Sequence, residues 1–307
     1  MNFDPEILSG EERLALALRT LYHRSGYTQY KMSKFEEYDL YARNKDFLIS
    51  DNILTFTDAG GRLMALKPDV TLSIVRSGRD RGEGVQKLYY QENVYRPGAS
   101  GAFRELTQVG VECIGAVGEA DKAETLLLAL RSLECVSDEY RFDVSHLGVL
   151  SALLNRLAVS EEARQEALRC VAQKNAHELS RLCESAGADS AAAADLKKLF
   201  GCAGAPETVI PVLRELGCGE DAAELERLTG ALAAEGFAGK ISLDFSIAGN
   251  LNYYNGVVFR GFVSGVPAQV LSGGQYDRLM LRQGRRDRAI GFAVYMDLLE
   301  RVGGERV

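Results

Sequence analysis

Residues 86–96 and 103–114 are two long runs of strand-type composition flanking the five-residue loop Pro97-Gly98-Ala99-Ser100-Gly101. A loop this short, rich in Gly and led by Pro, joins adjacent antiparallel strands, so the chain is committed to a long β-hairpin. Within the second run, period two places Arg104, Leu106, Gln108, Gly110 and Glu112 on one face. Val109, Val111 and Cys113 fall on the other, where a helix can cover them. A half-buried strand with a solvated polar face carries the same pattern. Gly110, between Gln108 and Glu112, tilts the reading toward a ligand. A position without a side chain weakens a strand and often marks close approach of a bound group. Gln and Glu also supply acceptors for an ammonium group or an imidazole.

The rest of the chain fits an α+β fold. Leu14, Ala17, Leu18, Leu21 and Tyr22 recur at helical spacing over residues 11–25, ending near Gly26. Residues 53–57 and 62–66 read as strands around the turn Asp58-Ala59-Gly60-Gly61. A helix at 119–136 and a strand at 140–144 follow. From His146 to Gly236 the sequence turns rich in Ala, Leu, Glu and Arg, which predicts several short helices. Strands are expected again at 241–247, 253–263, 268–272 and 289–295, with a closing helix over 296–302. Hairpin-linked strands with helices beside them predict an antiparallel sheet flanked by helices, not an alternating parallel one. The expected organisation is a core domain built from residues 1–145 and 237–307, interrupted by a helical insertion at 146–236.

Composition narrows the function. A net charge of −7 weighs against nucleic acid as chief partner, because phosphate neutralisation dominates such affinity. The six cysteines are scattered, and the three histidines (His23, His146, His177) lie far apart. Neither a disulfide framework nor a metal site is expected, and no cofactor is called for. No apolar run is long enough to span a bilayer, and the acidic N-terminus lacks the zones of a signal peptide, which predicts a cytoplasmic protein without membrane contact.

Three further segments hold candidate residues. Tyr253 and Tyr254 fall on opposite faces of the strand expected there, so at most one lines a given cavity. Gly273-Gly274-Gln275-Tyr276-Asp277 reads as a Gly-rich turn without phosphate-loop spacing. In Leu66-Lys67-Pro68-Asp69-Val70-Thr71, Asp69 is suited to capping the helix that follows.

Taken in order, these segments resemble the class II aminoacyl-tRNA synthetase core, and within it the histidyl-tRNA synthetase branch. Phe56-Thr57-Asp58 and Leu66–Thr71 resemble the family's hairpin and its Leu-Arg-Pro-Glu-Gly-Thr segment. Val94-Tyr95-Arg96 and Gly110-Val111-Glu112 resemble motif 2, and Gly291-Phe292-Ala293 the start of motif 3. Asn250-Leu251-Asn252-Tyr253-Tyr254-Asn255 resembles the histidine-specific Arg-Gly-Leu-Asp-Tyr-Tyr segment, and Gly273–Asp277 the Gly-Gly-Arg-Tyr-Asp segment. The resemblance implies that Asp69, Thr71, Gln108, Glu112, Tyr253 and Tyr254 hold histidine.

The departures bear on activity. The arginine of the histidine-specific segment falls at Gly249, the motif 3 arginine at Leu298, and the motif 2 loop arginine at Ala102. Pro97-Gly98 replace the acidic end of motif 2, and Ser33 stands where motif 1 has proline. Adenylate formation needs cations on the triphosphate, each preorganised donor being worth ~3–4 kcal/mol. Arg96 is kept, and Arg301 is the nearest substitute for the motif 3 cation. The motif 3 match lies so near Val307 that no anticodon-binding domain is expected.

A synthetase-like core without the ATP arginines resembles the regulatory subunits of ATP phosphoribosyltransferase. That resemblance implies a non-catalytic partner of the short-form catalytic subunit in the first step of histidine biosynthesis. It also implies a class-II-type dimer, no tRNA partner and feedback by histidine. Two other readings stay open: a truncated paralogue that adenylates an amino acid for a non-tRNA acceptor, and a stand-alone amino-acid-sensing module.

Overall fold

The computed structural model describes residues 7–45, 48, 52–78, 84–98, 101–247 and 253–299. The chain divides into two compact units. The first comprises residues 1–140, 262–272 and 277–307, and the second residues 141–261 and 273–276.

The first unit opens with α1 (Gly10–Arg24), fixed at its start by a reciprocal cap. Ser9 Oγ accepts from the Glu12 amide at 3.2 Å, and Glu12 Oε2 accepts from the Ser9 amide at 2.8 Å. The chain continues through β1 (Thr28–Gln29), β2 (Phe35–Glu37), α2 (Tyr38–Ala42), β3 (Thr55–Thr57), β4 (Leu63–Leu66) and α3 (Thr71–Ser77). The long hairpin β5 (Val85–Pro97) and β6 (Phe103–Gly115) comes next, then α4 (Glu119–Val136). Strand order is β1-β5-β6 with the late strand β12 (Arg288–Tyr295) beside β6, and β2-β4-β3 form a separate small sheet. Hairpin register pairs Tyr90 with Gly110 and Glu92 with Gln108, while β12 sets Gly291 against Glu112.

Period two on β6 holds. Val109, Val111 and Cys113 are fully buried. On the same face the Tyr22 ring of α1 meets Phe292 edge-on at 5.9 Å and Tyr89 at 6.4 Å. Its hydroxyl lies 2.9 Å from Ser132 Oγ of α4, so both helices cover this face. Each such large apolar side chain contributes about 1.5–3 kcal/mol on burial.

The second unit holds most of β7 (Tyr140–His146), then α5 (Leu147–Arg156), α6 (Glu161–Ala172), α7 (Ala176–Ser185) and α8 (Ser190–Phe200). After β8 (Ala203–Gly204) come α9 (Pro206–Glu215), α10 (Gly219–Ala234) and β9 (Ile241–Asp244). The helices are short because the sequence restarts them: Ser160, Asn175 and Asp189 each cap a new helix, and Pro206 opens another. Strand β10 (Val257–Val263) neighbours β7, and its last two residues, like the first two of β11 (Leu271–Gln275), belong to the first unit. Helix α11 (Asp277–Arg282) leads into β12.

Two pairings differ from an all-antiparallel expectation: β1 with β5 and β7 with β9 are parallel. Parallel neighbours need a long crossover, and the helical stretch after β7 supplies it for the second pair. The closing element is a 3₁₀ turn at Met296–Leu298, and the part of the expected helix beyond Leu299 lies outside the described residues.

Candidate functional site

In the first unit the polar face of β6 meets the start of α3. Thr71 Oγ1 donates to Glu112 Oε1 at 2.6 Å, and both Glu112 and Gln108 are buried. Glu112 reaches this position because Gly291, its partner on β12, has no side chain. A Cβ there would stand 1.9 Å from Glu112 Oε2. Thus Thr71 and Glu112 meet although they come from distant parts of the chain, and Gln108 lies four residues along the same face of β6.

Asp69 serves first as the cap anticipated for it: its Oδ1 accepts from the Leu72 amide at 2.8 Å. Oδ2 faces Arg96 at 3.6 Å, and Arg96 Nε donates to the Pro68 carbonyl at 2.6 Å. Burial raises the Asp69 pKa, and the Arg96 charge pulls it back. The arginine that resembles the motif 2 cation is therefore held by Asp69 and the Pro68 carbonyl. Arg104, its cross-strand partner, is exposed. Neither Ala102, exposed before β6, nor Leu298 in the 3₁₀ turn supplies a cation. Gly249 and Arg301 lie outside the described residues.

Gly110 has a different reason from the one its sequence context suggests. A Cβ there would meet Tyr90 Oη at 2.6 Å and the Phe292 carbonyl at 2.2 Å. The group that approaches Gly110 is the Tyr90 phenol from the neighbouring strand, not a ligand. Tyr90 is buried, and its pKa is raised well above the usual value by burial first and then by the Glu112 and Asp69 charges. Sequence reasoning missed this residue. The hairpin loop carried the signal, since closing it fixes Tyr90 opposite Gly110. Also missed was the ion pair between Lys67, which is 1% exposed, and Glu92. Burial lowers the Lys67 pKa against the pull of Glu92.

Tyr253 and Tyr254 belong to the second unit. They precede β10 in a turn, so strand alternation does not apply to them. Their rings meet edge-to-face with centroids 4.5 Å apart, and Tyr276 lies 5.9 Å from Tyr253. Gly273–Gln275 are strand residues of β11, not a turn. A Cβ on Gly274 would stand 2.9 Å from the Tyr254 ring, which explains the glycine by packing. Asn250 and the two residues after it lie outside the described residues.

Chemically, the first-unit face offers carboxylate and amide acceptors in a dry setting, with its arginine and lysine already paired. Acceptors of this kind match the hydrogen-bonding needs of an ammonium or imidazole group, not those of a triphosphate. In the arginine-rich stretch 278–288, Arg278, Arg282, Arg286 and Arg288 are exposed, whereas Arg285 is withdrawn from the surface. Arg285 is buried, with NH2 2.6 Å from Asp287 and NH1 donating to the Val75 carbonyl at 2.9 Å. Among the described residues no group of three or more His, Cys, Asp or Glu could hold a metal ion, and no helix is long and apolar enough to cross a membrane.

Residues 2–299 match the histidyl-tRNA synthetase family. The chain is 31% identical over 309 residues to the ATP phosphoribosyltransferase regulatory subunit of Thermoanaerobacter pseudethanolicus, covering 96% of this chain and 79% of the relative. It superposes with a TM-score of 0.85 on a protein of Bacillus halodurans C described as an ATP phosphoribosyltransferase regulatory subunit/histidyl-tRNA synthetase. That match has 24% identity and covers 98% of this chain and 81% of the other. A chain of the ATP phosphoribosyl transferase HisG:HisZ complex of Thermotoga maritima shares the fold, with a TM-score of 0.73, 17% identity and coverage of 93% and 97%.

Proposed function

The chain belongs to the histidyl-tRNA synthetase family and, within it, to the ATP phosphoribosyltransferase regulatory subunits, and from that membership we propose that it is the non-catalytic partner of a short-form phosphoribosyltransferase. One observation carries the reading beyond membership. Arg96, the motif 2 cation, is bound to Asp69 and the Pro68 carbonyl, while Thr71 and Glu112 keep a hydrogen-bonded amino-acid-type arrangement. The nucleotide side has been given up and the amino-acid side kept.

Histidine is the ligand that this reading assigns to Asp69, Thr71, Gln108 and Glu112 of the first unit; Tyr253 and Tyr254, which the family resemblance adds, belong to the second. A retained site biases an assembly only if histidine binds its two states with different affinity, and feedback then follows from linkage. Self-association as a class-II-type dimer is supported by the small sheet. Phe35, Leu54, Phe56 and Leu63 are exposed on and beside its strands, with the two Phe rings 5.5 Å apart. Residues 146–236 form a helical module inserted into the synthetase-like core, and the protein works in the cytoplasm, where histidine is made.

The test is reconstitution. Phosphoribosyl transfer by the short-form catalytic subunit should depend on this chain and fall when histidine is added. Glu112→Ala and Tyr254→Phe should weaken histidine binding in calorimetry. ATP–pyrophosphate exchange stimulated by histidine would overturn the reading, as would a catalytic subunit equally active alone.

A further inference from the structure

On the polar face of β5 and β6, two buried side chains end in groups that bond to nothing among the described residues. Tyr90 is 2% exposed and Gln108 is 4% exposed, yet neither the phenol nor the amide has a hydrogen-bond partner there. Neither is sealed away, unlike the Tyr27, Tyr41 and Tyr140 hydroxyls, which are shut off from solvent without a partner. Tyr295, opposite Gln108 on β12, is by contrast engaged with Ser272 Oγ at 2.5 Å. Ala293, opposite Gly110, keeps part of its surface exposed, so the space beside Gly110 opens outward. Burying a polar stem and leaving its tip unmet is unfavourable unless something comes to meet it.

Geometry narrows what that is. A Cβ at Gly110 would stand 2.6 Å from Tyr90 Oη, and a Cβ at Gly291 1.9 Å from Glu112 Oε2, so each oxygen lies over a glycine. The two glycines are on neighbouring strands, two residues out of step, a separation of about 7 Å along the strands. An ammonium nitrogen bonded to both oxygens spans less than about 6 Å, two hydrogen bonds of about 2.9 Å each. A five-membered ring with a nitrogen on either side reaches further. Its N–H suits Glu112, a carboxylate with about four lone-pair sites, one of which takes the Thr71 hydroxyl. Its bare nitrogen needs a donor. Burial first, then the Glu112 and Asp69 charges, holds the Tyr90 pKa well above the usual phenol value, so the hydroxyl keeps its proton. The other groups that bear on it are the phenols of Tyr295 and Tyr22. We infer that Tyr90 is a ligand-contacting, specificity-determining residue, donating to the unprotonated nitrogen of a neutral imidazole whose N–H is taken by Glu112. The inference rests on the histidine reading of this site and adds to it the charge state of the bound ring.

The full chain, as wild type and Tyr90→Phe, is titrated with histidine by calorimetry at about pH 7.5 and about pH 5. Phenylalanine keeps the ring beside Gly110 and removes only the hydroxyl. At the higher pH, Tyr90→Phe should bind at least about five-fold more weakly, as expected when a buried acceptor loses its donor. At the lower pH the ligand ring, with an ordinary pKa of about 6.5, is protonated, and wild-type affinity should fall roughly thirty-fold. Protonation of Asp69 or Glu112 over this range weakens both proteins alike, so the comparison isolates the phenol, and Tyr90→Phe should show a clearly flatter profile. A merely structural tyrosine would lower affinity by the same factor at both pH values. Equal affinity in the two proteins, or parallel profiles, overturns the role of Tyr90 and leaves the histidine reading intact. So does a wild-type affinity that does not change with pH, which decides the matter if the variant does not fold. A wild-type chain that binds no histidine at either pH sinks both.

Discussion

Gly291→Ala should be among the most damaging single-methyl additions in this protein. The new Cβ would sit 1.9 Å from Glu112 Oε2 and 2.5 Å from the Val111 carbonyl. The first distance falls short of ordinary contact by roughly 1.5 Å, so the carboxylate must move. Moving it breaks the bond from Thr71 Oγ1, a hydrogen bond to a charged acceptor worth about 1.5–3 kcal/mol. The Val111 carbonyl belongs to the neighbouring strand and cannot swing aside, which adds an overpacking cost of about 1–3 kcal/mol. The sum, roughly 2.5–6 kcal/mol, is a large part of the 5–15 kcal/mol typical of a folded protein. It should lower Tm by roughly 10 °C. The assay is a double-mutant cycle by denaturant and thermal unfolding. Glu112→Ala removes the clashing carboxylate, so Gly291→Ala should cost at least ~1.5 kcal/mol less in that background than in wild type. If the two substitutions add within about 0.5 kcal/mol, Glu112 does not occupy the space over Gly291 and the account of the site is wrong.

Other outcomes follow from particular contacts. Arg285→Met should destabilise by about 3–5 kcal/mol, because Asp287, only 5% exposed, is left buried without its cation; the double variant Arg285→Met/Asp287→Leu should recover most of that loss in urea unfolding. Lys174 adopts φ 53° after α6, a conformation costing a non-glycine residue about 1–2 kcal/mol, but its ammonium also pairs at 2.8 Å with Asp244, a carboxylate only 7% exposed. Lys174→Gly should therefore lower the denaturant midpoint, because relief of the backbone conformation does not offset a buried carboxylate left without its cation, and an unchanged or higher midpoint would refute this weighting. Burial pushes the Cys113 thiol up to about 12, above the roughly 8.5 of an unfolded chain. Its contribution to stability is thus full below about pH 8.5 and lost as pH rises toward 12. Cys113→Ala should flatten that alkaline slope. At pH 8 a maleimide should label exposed Cys135 and spare Cys113 until the protein unfolds.

Local periodicity made much of this molecule legible. The long hairpin, α1, α4 and the helical texture after His146 depend on neighbours within a few residues, which a sequence displays directly. The burial of Val109, Val111 and Cys113 follows from the same period. What failed were inferences that borrowed a local rule where it did not apply. Tyr253 and Tyr254 were assigned to opposite strand faces, yet the strand begins at Val257 and their rings pack together. Gly273 and Gly274 suggested a turn from composition, yet they are strand positions, with Gly274 leaving room for Tyr254.

The amino-acid sequence alone determined most element types, the family and the missing cations at Ala102 and Leu298, since each is a property of residue identity in order. Only the tertiary structure decided what the surviving polar residues do. Arg96 is 27 residues from Asp69 and Glu112 is 41 from Thr71, and no spacing rule reports such pairings. They exist because β5, β6 and β12 bring side chains of one pleat face together, where burial makes every charge find a partner. The same packing explains Gly110, which looks like a ligand contact in one dimension and proves to be the seat of Tyr90 in three.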